Sequence, residues 1–272
     1  MTTVTRPIIA MLTDFGTRDH YAGTIKGVIL TLCPDAVLVD ISHEIPAHDI
    51  LTGALELASS YRFFPHGTIF LAVVDPGVGS SRRGIAAEVG DYRFVAPDNG
   101  VLTAVFAETT PKRVVSLTER KYARPTISKT FEGRDRFAPA AAWLARGAEM
   151  TALGTAVRDY VRIEIPQASQ GDDRIVGRVL RVDRYGNLVT NISRAMVDRV
   201  SARGPIRITV GEHGVGALVE TYAAASPGCV CALFGSSDHL EIAENGGRAT
   251  DRLGLGVGAV VEVGRPSEAV LV

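Results

Sequence analysis

The first half of the chain alternates short apolar segments with segments of helical periodicity, which strongly restricts the folds available to it. Strands are predicted at Pro7–Leu12, Val37–Ile41 and Thr68–Val74, and helices at Tyr21–Leu32 and Ile50–Tyr61. Because the strands alternate with helices, we predict a doubly wound α/β sheet domain over residues 1–166.

The second half carries a different pattern. A polar stretch, 167–173, is typical of a linker, and short β-branched segments separated by Gly, Asn and Asp follow it. These segments are 177–182, 188–192, 206–210, 214–221, 230–234, 240–243 and 258–263. We therefore predict an all-β, barrel-like domain over residues 174–272.

Composition excludes several classes of protein. The net charge of the 272-residue chain is -1, so no basic field for nucleic acid is expected. No apolar run approaches the roughly 20 residues that span a bilayer, and no secretory leader is recognisable at the N-terminus. Three cysteines, an odd and low count, favour a reducing compartment. We expect a cytoplasmic protein that binds neither nucleic acid nor membranes.

Acidic residues follow two of the predicted strands. Asp14 lies in the turn after the first strand, and Asp75 follows the third, with Arg82 seven residues further on. In open α/β sheets ligands bind beyond the carboxyl ends of the strands, so both acids are candidate site residues. Ordinary structural roles, a turn-capping Asp75 and a surface Arg82, remain open from this segment alone.

Three further segments contain candidate site residues, each of which also has an ordinary structural interpretation. Glu132 precedes Asp135, which could cap an Ala-rich helix beside a solvated Arg134. Residues 183–187 could form an ordinary β-turn, and the small residues at 235–237 could bind an anion through their backbone amides. The six histidines form no recognisable ligand set, and we expect no metal site.

Taken in this order, the motifs resemble those of the S-adenosylmethionine (SAM) hydrolases, or SAM hydroxide adenosyltransferases, a family related to fluorinase and chlorinase. The resemblance covers nearly the whole chain. It implies a homotrimer that binds SAM between the N-terminal domain of one subunit and the C-terminal domain of its neighbour. The implied contacts are Asp14 to the ribose hydroxyls, Asp183 to the methionine ammonium, Asn187 to adenine, Tyr222 stacked on adenine, and Ser236 and Ser237 to the methionine carboxylate.

Two positions bear on the reaction. Halogenases of this group carry Tyr where this chain has Asp75, whereas Asp75 with Arg82 matches the hydrolase pattern. The resemblance therefore implies hydrolysis of SAM to adenosine and L-methionine by activated water, with SAM as substrate and no cofactor. The chain departs from the pattern at Glu132, where hydrolases carry His. We take Asp75, Arg82 and Glu132 as the catalytic set. Glu132 is either the water-activating base or an anchor for Arg82, and a halogenase and a non-catalytic SAM- or adenosine-binding protein are the alternatives.

Overall fold

The computed structural model describes residues 6–265. The chain forms two compact units, with the first ending at Ile165 and the second beginning at Pro166. Among residues 6–265, every helix is too short or too polar to cross a membrane.

The first unit is built on a mixed six-stranded sheet. Its strands are β1 (Ile8–Thr13), β2 (Val37–Ser42), β3 (Ile69–Val73), β4 (Gly84–Val89), β5 (Tyr92–Pro97) and β6 (Arg113–Ser116), in the order β2-β1-β3-β5-β4-β6. Strands β1, β2, β3 and β5 run parallel, and β4 pairs antiparallel with both β5 and β6. The carboxyl ends of the four parallel strands therefore share one edge of the sheet, the edge at which the candidate acids are predicted to lie.

Helices cover both faces of this sheet. They are α1 (Tyr21–Leu32), α2 (Ile50–Ser60), α3 (Thr103–Glu108) and α4 (Ala138–Ala145), with 3-10 turns at Tyr61–Phe63, Arg120–Tyr122 and Met150–Leu153. Alternate residues of one strand enter opposite cores: Leu12 of β1 packs with Leu57 of α2, whereas Met11 packs with Ile25 of α1. Burial on both faces explains why the sequence shows continuous apolar runs here rather than alternation. The predicted doubly wound arrangement is confirmed.

The second unit is a curled antiparallel sheet. Its strands are β7 (Ser169–Gln170), β8 (Arg174–Val182), β9 (Leu188–Ser193), β10 (Arg207–Val210), β11 (His213–Gly214), β12 (Val230–Phe234), β13 (His239–Glu244) and β14 (Val260–Gly264). Strand β8 pairs with β14 along its first half and with β9 along its second half, with a register shift between Val179 and Arg181. A strand that changes partners at an irregularity bends the sheet, which gives the barrel-like form that the sequence predicts.

Several local predictions differ from the structure. The predicted linker contributes β7, which pairs with β8. The predicted strand 214–221 is mostly irregular, with β11 ending at Gly214 and one isolated bridge from Leu218 to Ala232. The second unit also contains two short helices, α5 (Arg194–Ser201) and α6 (Ala249–Leu253), and a 3-10 turn at Tyr222–Ala224.

Asp135 does not act as the helix cap that its position in the sequence suggests. It is fully buried inside a single π-helical turn, Gly133–Phe137, that leads into α4. Its carboxylate accepts hydrogen bonds from Arg134 Nε and Nη2, both at 2.7 Å, and from Ser128 N at 2.8 Å. Burial raises the pKa of Asp135, but these hydrogen bonds outweigh it and hold the pKa below its ordinary value of 3.8.

This depressed pKa predicts how stability depends on pH. The ionised Asp135 stabilises the fold above its unfolded pKa, and this contribution is lost as pH falls through the folded pKa. We expect Asp135→Asn to lower the free energy of unfolding at pH 7 by about 1.5–3 kcal/mol, the usual value for hydrogen bonds to a charged group. In urea denaturation the gap between the two proteins should narrow below pH 4. A gap that stays constant from pH 7 to pH 3 would show that the charge of Asp135 contributes nothing.

Candidate active site

Arg82 holds two carboxylates beyond the carboxyl end of β3. Its guanidinium contacts Asp75 through both Nε and Nη2, with Nε donating to Oδ1 at 2.8 Å, and Nη1 donates to Glu132 Oε2 at 2.8 Å. The side chains are 10%, 5% and 10% exposed for Arg82, Asp75 and Glu132. Burial lowers the pKa of Arg82, but the two carboxylates raise it by a larger amount. The sequence-predicted catalytic set is therefore one buried ion cluster, and a solvated surface role for Arg82 is wrong.

The loop from Asp75 to Arg82 has the shape that this contact requires. Val78 N donates to Asp75 O at 3.2 Å, and Arg82 N donates to Ser80 Oγ at 3.2 Å. Gly79 has a φ of +78°, and a Cβ there would lie 2.2 Å from the carbonyl oxygen of Lys129. Only glycine allows the loop to approach the segment that carries Glu132 this closely.

Asp14 lies at the same edge of the sheet. Its Oδ2 accepts a hydrogen bond from His48 N at 2.8 Å, and His48 itself has a left-handed φ of 68°. The preceding residue, Thr13, contacts the buried His43 ring at 2.8 Å, and the other ring nitrogen of His43 lies 3.0 Å from Asp40 Oδ1. This chain of contacts ties the loops after β1 and β2 together and fixes the turn that contains Asp14.

A cavity of about 240 Å³ brings Asp14, Asp75 and Glu132 together. Three aromatic rings, which the sequence analysis did not single out, line the same cavity: Phe15, Tyr21 and Phe131. Tyr21 meets Phe131 edge-on with ring centroids 5.1 Å apart. Such rings provide apolar area beside the carboxylates and exclude water from part of the site.

The other predicted residues lie in the second unit, around a cavity of about 810 Å³ lined by Asp183, Asn187, Tyr222 and Ser236, among others. Asp183 Oδ1 accepts from the backbone N–H groups of Tyr185 and Asn187, at 2.8 and 2.9 Å, and its Oδ2 accepts from Asn187 Nδ2 at 2.9 Å. Gly186 N donates to the carbonyl oxygen of Asp183 at 3.0 Å, so the β-turn that the sequence suggests at 183–187 exists. The side-chain contacts hold Asp183 and Asn187 at the cavity.

Ser236 and Ser237 lie in the turn between β12 and β13. Gly235 N donates to His239 O and Asp238 N donates to Gly235 O, both at 3.0 Å. Arg194 braces the turn, with Nε 2.6 Å from Asp238 Oδ1. Within residues 6–265, the backbone N–H groups of the two serines have no hydrogen-bond acceptor. Ser236 lines the cavity, whereas Ser237 is not among the lining residues.

Glu241 is a buried acid of this cavity that sequence reasoning missed. Its Oε2 accepts a hydrogen bond from the Tyr222 hydroxyl at 3.1 Å, and a Cβ on Gly235 would lie 1.8 Å from its Oε1. Burial raises the pKa of Glu241, and burial together with the nearby Glu241 carboxylate raises the pKa of Tyr222 to about 12. In the sequence, Glu241 lies within an ordinary strand segment, so no local pattern identifies it as a residue of the cavity.

No group of three or more His, Cys, Asp or Glu side chains within residues 6–265 is arranged to bind a metal ion. Cys33 and Cys231 are buried and Cys229 is exposed, and all three are free thiols.

Comparison with known proteins identifies the family. Residues 9–154 match the SAM hydroxide adenosyltransferase N-terminal domain, and residues 177–262 match the corresponding C-terminal domain. The chain is 36% identical over 252 residues to (R)-S-adenosyl-L-methionine hydrolase from Salinispora tropica, covering 92% of this chain and 94% of that protein. It is 37% identical over 271 residues to the enzyme of the same name from Thermus thermophilus, covering 95% and 99%.

More distant relatives carry a different name. A fluorinase from Nocardia brasiliensis is 28% identical over 290 residues, covering 95% of this chain and 97% of that protein. Among solved structures, an uncharacterised conserved protein from Thermotoga maritima superimposes with a TM-score of 0.90 at 34% identity, covering 94% of this chain and all of that one. The resemblance inferred from the motifs is confirmed, and the chain belongs to the SAM hydroxide adenosyltransferase family.

Proposed function

We propose that this protein hydrolyses S-adenosyl-L-methionine to adenosine and L-methionine. The observation that carries the proposal is the Arg82 cluster, which places two buried carboxylates at a cavity beside Asp14. The relatives named (R)-S-adenosyl-L-methionine hydrolase, which match most of the chain, support the same reaction.

The geometry distinguishes the two carboxylates. Arg82 contacts both oxygens of Asp75 but only Oε2 of Glu132. Glu132 lines the cavity and Arg82 contacts only its Oε2, so we assign Oε1 as the oxygen that accepts a proton from a water there. We assign Glu132 as the general base, Asp75 as the group that orients Arg82, and Arg82 as the cation that stabilises developing hydroxide.

The reaction needs positioning more than strong activation. The water oxygen forms a bond to the ribose 5′-carbon while the bond from that carbon to the sulfonium sulfur breaks in line with it. The bonding electrons go to sulfur, which leaves as the neutral thioether of methionine, and the proton of water goes to Glu132. Because a sulfonium is a good leaving group, the proposal requires no acid on that side and no cofactor.

The remaining contacts follow the chemistry of the substrate. Asp14 Oδ2 accepts from His48 N, and no residue in the range 6–265 donates to Oδ1, which leaves that oxygen for the ribose diol. The Asp183 carboxylate lines the larger cavity and suits the methionine ammonium, while Asn187 suits the edge of adenine. Tyr222 is 42% exposed and can stack on the base, and the backbone N–H groups of Ser236 and Ser237 suit the methionine carboxylate.

We further propose a homotrimer in which each SAM is bound by the N-terminal domain of one subunit and the C-terminal domain of its neighbour. In support, the water-activating residues and the methionine-binding residues lie in different compact units. Mixing an Asp14→Ala protein with an Asp183→Ala protein should then restore part of the activity after subunit exchange. No recovery after verified exchange would favour a site within one chain.

Asp14→Ala should weaken binding of adenosine and SAM together, because both ligands carry the ribose diol. Loss of hydrogen bonds to a charged group is expected to cost about 1.5–3 kcal/mol, measured by titration calorimetry. Asp19→Ala, an exposed acid on the same loop, is the matched control and should leave both affinities unchanged. If Asp14→Ala binds adenosine and SAM with the same affinities as the wild-type protein, Asp14 does not contact the ligand.

The two alternatives predict different products. A halide ion in the cavity would face the carboxylates of Asp75 and Glu132 and be repelled, which argues against halogenation. Incubating the protein with SAM in chloride buffer and separating the nucleosides tests all three functions. Hydrolysis predicts adenosine and methionine, halogenation predicts 5′-chloroadenosine, and a non-catalytic protein would bind SAM and leave it unchanged.

A further inference from the structure

A second arginine contacts the proposed base. Arg136 follows Glu132 by four residues, and its Nε lies 3.3 Å from Glu132 Oε2, the same oxygen that Arg82 contacts. The Arg136 Nε atom is buried, yet its N–H is aligned on no acceptor within residues 6–265. A buried donor without a well-directed partner is uncommon and calls for a physical explanation.

The fold holds Arg136 in this place. Its Nη1 donates to the carbonyl oxygen of Leu117 at 2.8 Å, and its Cδ passes close to Gly84, where a Cβ would lie 3.1 Å away. Glu132 directly precedes the π-helical turn Gly133–Phe137, and Arg136 lies within that turn. Such turns add one residue per turn and change the direction of side chains, and they are frequent at functional sites.

The charges of the cluster balance only when Arg136 is included. Asp75 and Glu132 supply two negative charges, and Arg82 supplies one positive charge. A buried excess charge is costly, and Arg136, whose side chain is 28% exposed, neutralises it. Both arginines contact Oε2, so Oε1 is the oxygen of Glu132 that neither guanidinium group contacts.

From these contacts we propose that Arg136 is a positioning residue for the reaction, which holds the Glu132 carboxylate in the orientation in which Oε1 receives the proton of the attacking water. The proposal rests on the proposed function of Glu132 as the base. Arg136 is not among the residues that line the cavity, and its proposed role is exerted only through Glu132.

Steady-state kinetics of Arg136→Gln and Arg136→Lys test this role. We expect Arg136→Gln to lower kcat for SAM hydrolysis by about tenfold or more, with the KM for SAM changed by less than about threefold. The acidic limb of the kcat profile should move to higher pH, because loss of a neighbouring cation disfavours the ionised base. Within residues 6–265, Arg82 and Arg136 are the cations in contact with Glu132, and Asp75 shares Arg82 with it. The other titratable groups that line the same cavity are Asp14, Tyr21 and His48.

Arg136→Lys keeps the positive charge and should recover most of kcat and the original profile. Arg93→Gln is the matched control, because Arg93 also donates to a carbonyl oxygen, that of Leu144, and contacts no carboxylate of the cluster. A kcat within twofold of wild type with an unchanged pH profile would overturn the proposal. The proposal would also be overturned if Arg136→Gln lowered kcat without shifting the pH profile and Arg136→Lys did not restore kcat.

Thermal unfolding separates this proposal from the proposed reaction. Arg136→Gln should lower Tm by several degrees in the wild-type protein. In a protein that already carries Glu132→Gln, it should lower Tm by less than about 2 °C, because the carboxylate charge that Arg136 neutralises is absent. These Tm differences measure the coupling between Arg136 and Glu132 even if the wild-type protein does not hydrolyse SAM. Absence of SAM hydrolysis would contradict the proposed function but not the contact between the two residues. Equal Tm losses in both backgrounds would defeat the role of Arg136.

Discussion

Glu132→Gln is expected to lower the turnover of SAM by roughly 10²–10⁴-fold, the usual range for loss of a general base. The amide keeps the size of the side chain and an oxygen for Arg82 Nη1, but the group that replaces Oε1 cannot accept a proton. Affinity for SAM should therefore change little. Turnover and binding are measured on the same preparations, with Glu149→Gln, an exposed glutamate, as the control.

Comparing Asp75→Asn with Glu132→Gln shows which of the two carboxylates acts as the base. If Glu132 only anchored Arg82, glutamine would serve nearly as well, and Asp75→Asn would be the severe variant. A Glu132→Gln protein within a few-fold of wild-type turnover rules out Glu132 as the base. Measuring both variants across pH shows which carboxylate controls the rate.

Arg82→Met is expected to have the largest effect on stability. It leaves Asp75 and Glu132 buried without their shared cation, and breaking a buried pair in this way typically costs about 3–5 kcal/mol. The substitution also removes the cation–π contact with Phe137, whose ring centroid lies 5.2 Å from the guanidinium carbon. Urea denaturation at pH 7 measures the loss.

A double variant tests whether this loss comes from charge. Adding Asp75→Asn to Arg82→Met removes the charge of Asp75, which has lost its contact with Arg82, and should restore part of the free energy of unfolding. If the costs of the two substitutions simply add, the charges are not coupled and the cluster is held by packing alone.

The elements with clear local signals were predictable from the sequence. Helix Tyr21–Leu32 has apolar residues at helical spacing and ends before Pro34, and the structure places it at the same residues. Strand Val230–Phe234 is a short β-branched and apolar run that the structure also confirms. In contrast, 214–221 has strand-like composition but gains few backbone partners, because tertiary context decides strand pairing.

The residues of the candidate site also fall into those that have a local signal in the sequence and those that have none. Asp14 and Asp75 follow predicted strands, next to Gly and Pro residues that mark turns in the sequence, so local signals point to them. Glu132 is helical and has no such signal, and only the resemblance to the SAM hydrolases selects it. Glu241 and Arg136 lie within regular elements and reach their partners only through folding. The pairing of Glu241 with Tyr222 joins β13 to a loop 19 residues away, and the position of Arg136 depends on a π-helical turn that no local pattern predicts.

Attack of water on the ribose 5′-carbon of SAM is the central step of the proposed function, and oxygen-18 labelling tests it most directly. The protein is incubated with SAM in water enriched in oxygen-18, and the nucleoside is analysed by mass spectrometry. We predict adenosine that carries one oxygen-18 atom in its 5′-hydroxyl group. Unlabelled adenosine, 5′-chloroadenosine in chloride buffer, or SAM that is bound and recovered intact would contradict this mechanism.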